Sequence, residues 1–277
     1  MFGVGSMSEP SGDSDQIVAP PGAREEPELE EAFDRLVSEG QERLSRPLLP
    51  LVSTGLLGGV DVSLGILIYL VVETETGQPL LASLAFTVGF IALLMARSEL
   101  FTENFLVPVM AVVAKEGTVR ELVRLWLLTL LLNLVAGFGM AWMMVVALPD
   151  IQPAAVKSGA HYAELGVSLR SFLLAVLAGT VITLLTRMQH ATDDLGVRVV
   201  PAVAMSFVLV GAQLFHSVLD SILMFAGLLS GGAPYGYTHW LGALGWSVFG
   251  NLVGGLGLVT ALRLLRVPHR VQEIRSQ

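Results

Sequence analysis

Two apolar stretches in this sequence are too long to cross a bilayer as straight helices, and both carry polar residues in their middles. Residues 80–114 would run about 52 Å as one helix, against about 30 Å of hydrocarbon. They contain Arg97-Ser98-Glu99-Leu100-Phe101-Thr102-Glu103-Asn104. Residues 199–229 hold Gln213-Leu214-Phe215-His216-Ser217 and then Asp220. Four further stretches, 48–72, 125–148, 171–186 and 241–265, match a single span or fall slightly short. The pattern predicts an all-α integral membrane protein of six transmembrane helices, with helices two and five interrupted. Composition agrees: 53% of the 277 residues are hydrophobic and only 14% charged, too few for the surface of a soluble body.

The net charge of −8 is local. Eleven of the 24 acids lie in residues 1–48 beside four arginines, and the rest of the chain is close to neutral. No basic stripe suits nucleic acid. The absence of cysteine excludes disulfides and thiolate metal centres. No cofactor or metal site is expected, and neither GxSxG nor HExxH occurs, so an enzyme is a poor fit.

Residues 1–27 read as a disordered acidic tail, with no basic and apolar succession of a cleavable signal. Residues 28–47 read as an amphipathic cytoplasmic helix, with Leu29, Phe33, Leu36, Val37 and Leu44 at helical spacing. It either lies on the membrane surface or packs on cytoplasmic loops. Residues 48–265 read as one six-span domain and 266–277 as a second cytoplasmic tail. With both termini cytoplasmic, 13 of the 16 Lys and Arg fall on the cytoplasmic side, only Lys157 and Arg170 lie outside, and Arg97 falls within a span.

The chain repeats itself. Asn133-Leu-Val-Ala-Gly-Phe-Gly139 in segment three returns as Asn251-Leu-Val-Gly-Gly-Leu-Gly257 in segment six, 118 residues on. Glu99-Leu-Phe-Thr102 in segment two has a counterpart in Gln213-Leu-Phe-His216 of segment five, 114 residues on, which sets Thr102 against His216. Repeat one is 48–148 and repeat two 171–265. Three spans per copy force the second copy to insert upside down, and such inverted repeats place a solute site near the midplane. The glycines of the Asn-Leu-Val motifs read as packing residues that bring helix backbones close.

Charges within a span are costly and should face protein or water. Half-helices are expected to begin near Asn104 and near Ser217, so that two positive helix ends meet and favour an anion or a polarised oxygen. Glu103 and Asn104 also suit N-capping. His216 is the one histidine placed mid-span. Asp220, one turn on along the same face, either favours a charged His216 or caps the half-helix. Asp61 reads best as a partner for Arg97.

Together, the Glu-Leu-Phe-Thr interruption, the mid-span His-Ser and the Asn251-Leu-Val-Gly-Gly stretch resemble the formate/nitrite transporter family over about residues 48–265. The resemblance implies an aquaporin-like protomer, a homopentamer with one pore per protomer, and passage of formate, nitrite or hydrosulfide, with or without a proton. It assigns Thr102 to the gating loop and His216 to the central histidine, with Phe90 and Leu209 at an external constriction and Leu100 at an internal one. Phe101, Phe215, Glu99, Glu103, Asn104, Asn133 and Asn251 complete the expected solute pathway. It implies a bacterial-type inner (plasma) membrane. The sequence departs from the family at Asp220, where Asn is common, at Glu103, at Arg97, and at Thr183, where segment four commonly has Asn.

The leading expectation is a channel or proton-coupled carrier for a small anion. Glu99, Glu103 and Asp220 leave open a channel for a neutral or cationic solute, and the acidic tail leaves open a non-transporting scaffold or sensor. The topology makes a direct prediction. Reporter fusions at Lys157 and Gly232 read external and those at Gly117 and Asp193 cytoplasmic; one consistent reversal contradicts it.

Overall fold

A computed structural model describes residues 26–265 and 274–275, and these described residues contain helices and no strands. The expected tails, 1–27 and 266–277, fall almost entirely outside the described residues. In chain order the elements are α1 (Glu26–Ser45), α2 (Leu48–Thr76), α3 (Pro79–Ala96), a 3-10 turn (Phe101–Phe105), α4 (Val107–Ala114), α5 (Val119–Ala147), α6 (Gln152–Leu165), α7 (Leu169–Gln189), α8 (Leu195–Gly211) and α9 (Ser217–Ser230). The last span begins as α10 (Tyr237–Leu252), passes through a π-helical segment (Val253–Thr260) and ends as α11 (Ala261–Leu264). Five helical units, Leu48–Thr76, Pro79–Ala96, Val119–Ala147, Leu169–Gln189 and Tyr237–Leu264, are long and apolar enough to cross a membrane. Three shorter apolar units remain among the described residues: Phe101–Ala114, which is the 3-10 turn with α4, and the pair α8 and α9.

Local chemistry sets the boundaries. Thr118 caps α5, accepting from the Glu121 N–H at 3.2 Å, while the Glu121 carboxylate accepts from the Thr118 N–H at 2.8 Å. Asp194 caps α8 through the Val197 N–H at 3.1 Å. α3 starts on Pro79, whose missing N–H costs nothing at that position. It stops at Arg97, which takes the left-handed conformation with φ 52.

The two halves pack alike. α2 lies against α3 and α5 as α7 lies against α8 and α10, and α3 meets α8 between the halves. The repeat extends further than the three spans read from sequence. α1 covers α4, and α6 covers α9. Gly40 of α1 lies where a Cβ would overlap the Val107 carbonyl and Ala111, and Gly159 of α6 lies where a Cβ would meet the Leu223 carbonyl at 3.0 Å. Each copy therefore opens with a helix laid over its own short half-helix. For α1 this decides between surface and protein. Phe33, Leu36 and Val37 are buried against Leu106, Val107, Met110 and Ala114, and Leu44 joins Leu51, Ala111, Leu122 and Leu125.

One close backbone approach recurs in both copies. A Cβ on Gly59 would meet the Asn133 carbonyl at 2.5 Å, and a Cβ on Gly179 would overlap the Asn251 carbonyl. Backbone cannot move aside as a flexible side chain can, so Gly179→Ala is expected to cost about 1–3 kcal/mol. Gly257, with nothing within 4 Å of its built Cβ, is the control, and Gly257→Ala should change stability by less than about 0.5 kcal/mol. Thermal unfolding in detergent checks both; equal behaviour of the two variants contradicts the close-approach reading.

Candidate functional site

Both interruptions are held by the same device. A helix broken inside a membrane frees backbone groups that have no water to turn to. In the first break, Asn133 of α5 donates its Nδ2 to the Gly55 carbonyl at 2.7 Å and to the Glu99 carbonyl at 2.9 Å, while its Oδ1 accepts from the Phe101 N–H at 2.9 Å. In the second break, Asn251 of α10 donates to the Ala175 and Phe215 carbonyls, each at 2.9 Å, and accepts from the Ser217 N–H at 3.0 Å. Both asparagines are fully buried, and their amides are committed to backbone. They brace the breaks, with both donor hydrogens and the oxygen of each amide bonded to backbone.

This correspondence corrects the register of the repeat. Glu99 matches Phe215 and Phe101 matches Ser217, so the breaks align two residues away from the Leu-Phe match. Thr102 does not occupy the place of His216 in the other copy. The two meet across the interface between the copies instead. Thr102 Oγ1 lies 2.8 Å from His216 Nε2, and both residues are fully buried.

His216 is the N-cap of α9. Its Nδ1 accepts from the Val218 N–H at 3.2 Å and the Leu219 N–H at 3.1 Å. An atom receiving two N–H donors carries no proton, so the network assigns the ring proton to Nε2. Nε2–H then donates toward Thr102, whose hydroxyl remains free to donate elsewhere. Asp220 does not touch the imidazole. Its Oδ2 accepts from the His216 backbone N–H at 2.7 Å, which makes it a cap rather than a counter-charge for the ring. Glu103 does the same in the other copy, accepting from the Leu100 N–H at 3.4 Å.

The half-helix expected from Asn104 begins later. Residues 101–105 form the 3-10 turn and α4 starts at Val107, with Pro108 in its first turn. The Asn104 carbonyl accepts from Trp126 Nε1 at 2.9 Å, and its Oδ1 accepts from Arg43 at 3.2 Å. Phe90, Leu100, Phe101, Leu209 and Phe215 are buried in one continuous apolar cluster. Tyr162 of α6 stacks on Phe215 with centroids 6.0 Å apart.

One expected pairing and one expected pore acid fail. Arg97 is exposed, and Asp61 receives the Ser98 hydroxyl instead, at 2.5 Å. The αL turn at Arg97 points its side chain away from the helix core. Glu99 is not a free pore acid: its carboxylate pairs with Arg46, and Arg43 stands 3.9 Å away. Arg43 and Arg46 had not been singled out as site residues. Their position at the end of an amphipathic helix, just before the first span, was the available signal.

The α1 end carries a wider polar network. Glu39 binds Arg43 at 2.6 Å and His190 at 3.0 Å. Burial acts to raise the Glu39 carboxyl, but the His190 hydrogen bond and the Arg43 charge outweigh it and bring it down from the ordinary 4.5 to about 2. At the opposite end, Lys157 Nζ binds Glu73 at 2.9 Å, and that hydrogen bond raises the lysine.

The sequence profile described as Formate/nitrite transporter matches residues 30–265. The inner membrane protein YfdC of Escherichia coli (strain K12) is 26% identical over 231 residues, covering 80% of this chain and 73% of YfdC. Among solved structures, one described as an FNT family ion channel superposes with a TM-score of 0.74 at 16% identity, over 86% of this chain and 99% of its own. A pentameric formate channel with formate bound gives 0.66 at 20% identity, over 79% and 96%. At these identities the structural likeness establishes the fold.

The depressed Glu39 carboxyl sets a pH prediction. A carboxylate lowered by folding stabilises above its unfolded value, and that stabilisation is lost as pH falls through the folded value. Wild type should therefore lose stability more steeply than Glu39→Gln as pH falls from 4.5 to about 2. Parallel acid-unfolding curves contradict the pairing.

Proposed function

Because the chain belongs to the formate/nitrite transporter family, we propose that it passes a small monovalent anion of the formate, nitrite or hydrosulfide type through each protomer of a homopentamer. One observation carries the reading: the Thr102–His216 contact between the two breaks. An anion dehydrating inside an apolar passage needs donors that bear no countercharge, and a hydroxyl and an Nε2–H meet that need. The α9 N-terminus adds its positive end beside them. Phe90, Leu209 and Leu100 are the apolar constrictions on this route, gating by exclusion of water.

Each of the acids that favoured a cation channel has one oxygen engaged by the protein. Glu99 is paired with Arg46, Glu103 is turned to the Leu100 N–H, and Asp220 is turned to the His216 N–H. His216 acts in this reading as a hydrogen-bond donor whose other nitrogen is already occupied. The pentamer, set in the bilayer of a bacterial-type inner membrane, has its α1 end in the cytoplasm. The basic residues gathered there support that orientation.

Proteoliposome flux over formate, nitrite, acetate, hydrosulfide and ammonium tests the reading. Formate and nitrite should pass and ammonium should not. His216→Asn, which still caps α9 but cannot reach Thr102, should lower anion flux at least about tenfold per folded pentamer. Phe90→Ala should raise flux or relax selectivity. Ammonium flux without anion flux contradicts the proposal, and unchanged flux and selectivity in Phe90→Ala place that ring off the route.

A further inference from the structure

Asp220 is a buried carboxyl, 1% exposed, in the first turn of α9. Only half of it is used. Oδ2 takes the His216 N–H, while Oδ1 is buried and accepts no hydrogen bond. No cation faces it. The polar side chain that does approach it is Tyr162, brought across from α6 by its stack on Phe215. None of the charged or titratable groups on the elements packed against α9 forms an ion pair with Asp220, neither Asp61, Glu73 and Glu75 of α2 nor Lys157, His161 and Glu164 of α6. The charged residues of α5 are Arg120, Glu121 and Arg124, in its first two turns, and α10 holds only His239 near its start. From α2, Tyr69 stands beyond Tyr162, within its electrostatic reach.

Tyr162 continues outward. Tyr69 of α2 faces Ser158 of α6. One turn along α2, the buried Glu73 carries a second unpartnered oxygen and meets the exposed Lys157. A line of polar groups thus runs from the α6 surface to Asp220 between α2, α6 and α9. It lies beside the Thr102–His216 contact and does not include it.

We propose that Asp220 is a proton-operated gate for the anion, reached from the external α6 face through Tyr162. The inference rests on the anion reading above. With its proton, Asp220 is neutral, accepts the His216 N–H through its carbonyl oxygen, and leaves the α9 N-terminus attractive to an anion. On deprotonation the Asp220 O–H bond breaks, its electron pair stays on the carboxylate, and the proton leaves past Tyr162 to water at the α6 face. The new negative charge stands one residue contact from His216, poorly screened, and repels the anion from its donors. Passage is then tied to acid outside without protonating the imidazole.

The Asp220→Asn variant tests this. The amide keeps an oxygen for the His216 N–H and mimics the neutral carboxyl. Wild-type formate flux in proteoliposomes should fall about tenfold or more when the buffer on the α6 side is changed from acidic to alkaline. Asp220→Asn should stay high and vary less than about twofold over the same change. Infrared difference spectra of the whole pentamer provide a readout that does not depend on flux. A carboxylic acid C=O band should titrate together with flux in wild type and be missing from Asp220→Asn. Tyr162→Phe keeps the ring on Phe215 and should slow the response of that band to a pH jump on the α6 side. A wild-type flux profile in Asp220→Asn, or no titrating band at this residue, overturns the gate. An unchanged response in Tyr162→Phe overturns the route. Absence of any anion flux in wild type overturns the anion reading itself, and the infrared titration keeps that failure distinct from a failure of Asp220 to titrate.

Discussion

Everything in this fold depends on satisfying backbone groups freed where two helices break inside a low-dielectric core. Hydrocarbon offers no hydrogen-bond partners, and each orphaned N–H or C=O costs several kcal/mol. Asn133 and Asn251 meet the need with identical bonding, two carbonyls and one N–H apiece. An asparagine suits the task because its amide offers donors and an acceptor without a charge. Gly59 and Gly179 follow from the same requirement. The helix carrying each asparagine must lie close to the first helix of its repeat, and a Cβ at either glycine would meet the asparagine's own carbonyl.

Once the breaks are fixed, the polar contents of the interface between the copies follow. The second break caps α9 with the imidazole of His216, and that capping chooses the tautomer. The remaining ring N–H is aimed at Thr102 from the first break. One side chain thereby secures a helix start and presents a donor to the centre. Asp220 and Glu103 close the turns from behind, each returning to the N–H three or four residues before it. Part of the cost falls on Asp220, which, like Glu99, is left with a buried oxygen that has no hydrogen-bond partner.

Much of this was legible in the sequence because it is periodic or of unusual length. Overlong apolar runs announced the breaks, and the two Asn-Leu-Val stretches announced the repeat. The internal register was not legible, because the Leu-Phe pairs matched by residue type while the hydrogen bonds match Glu99 to Phe215. The inclusion of α1 and α6 in the repeat was hidden for a related reason. Gly40 and Gly159 perform the same close approach within sequences that otherwise share little. Arg97 was misjudged because position within an apolar run says nothing of the αL turn that points it outward. Tyr162 was missed because it lies in a loop-length segment whose helix packs on α9 only in three dimensions.

The central claim is that His216 is held with its proton on Nε2 and offers that proton to the anion. Nitrogen NMR of the isotope-labelled pentamer in lipid reads this directly, with the His216 signals identified by their loss in His216→Asn. The account predicts a protonated Nε2, an unprotonated Nδ1, and a shift confined to Nε2 when formate is added. A protonated Nδ1, or an Nε2 signal indifferent to formate, would contradict it.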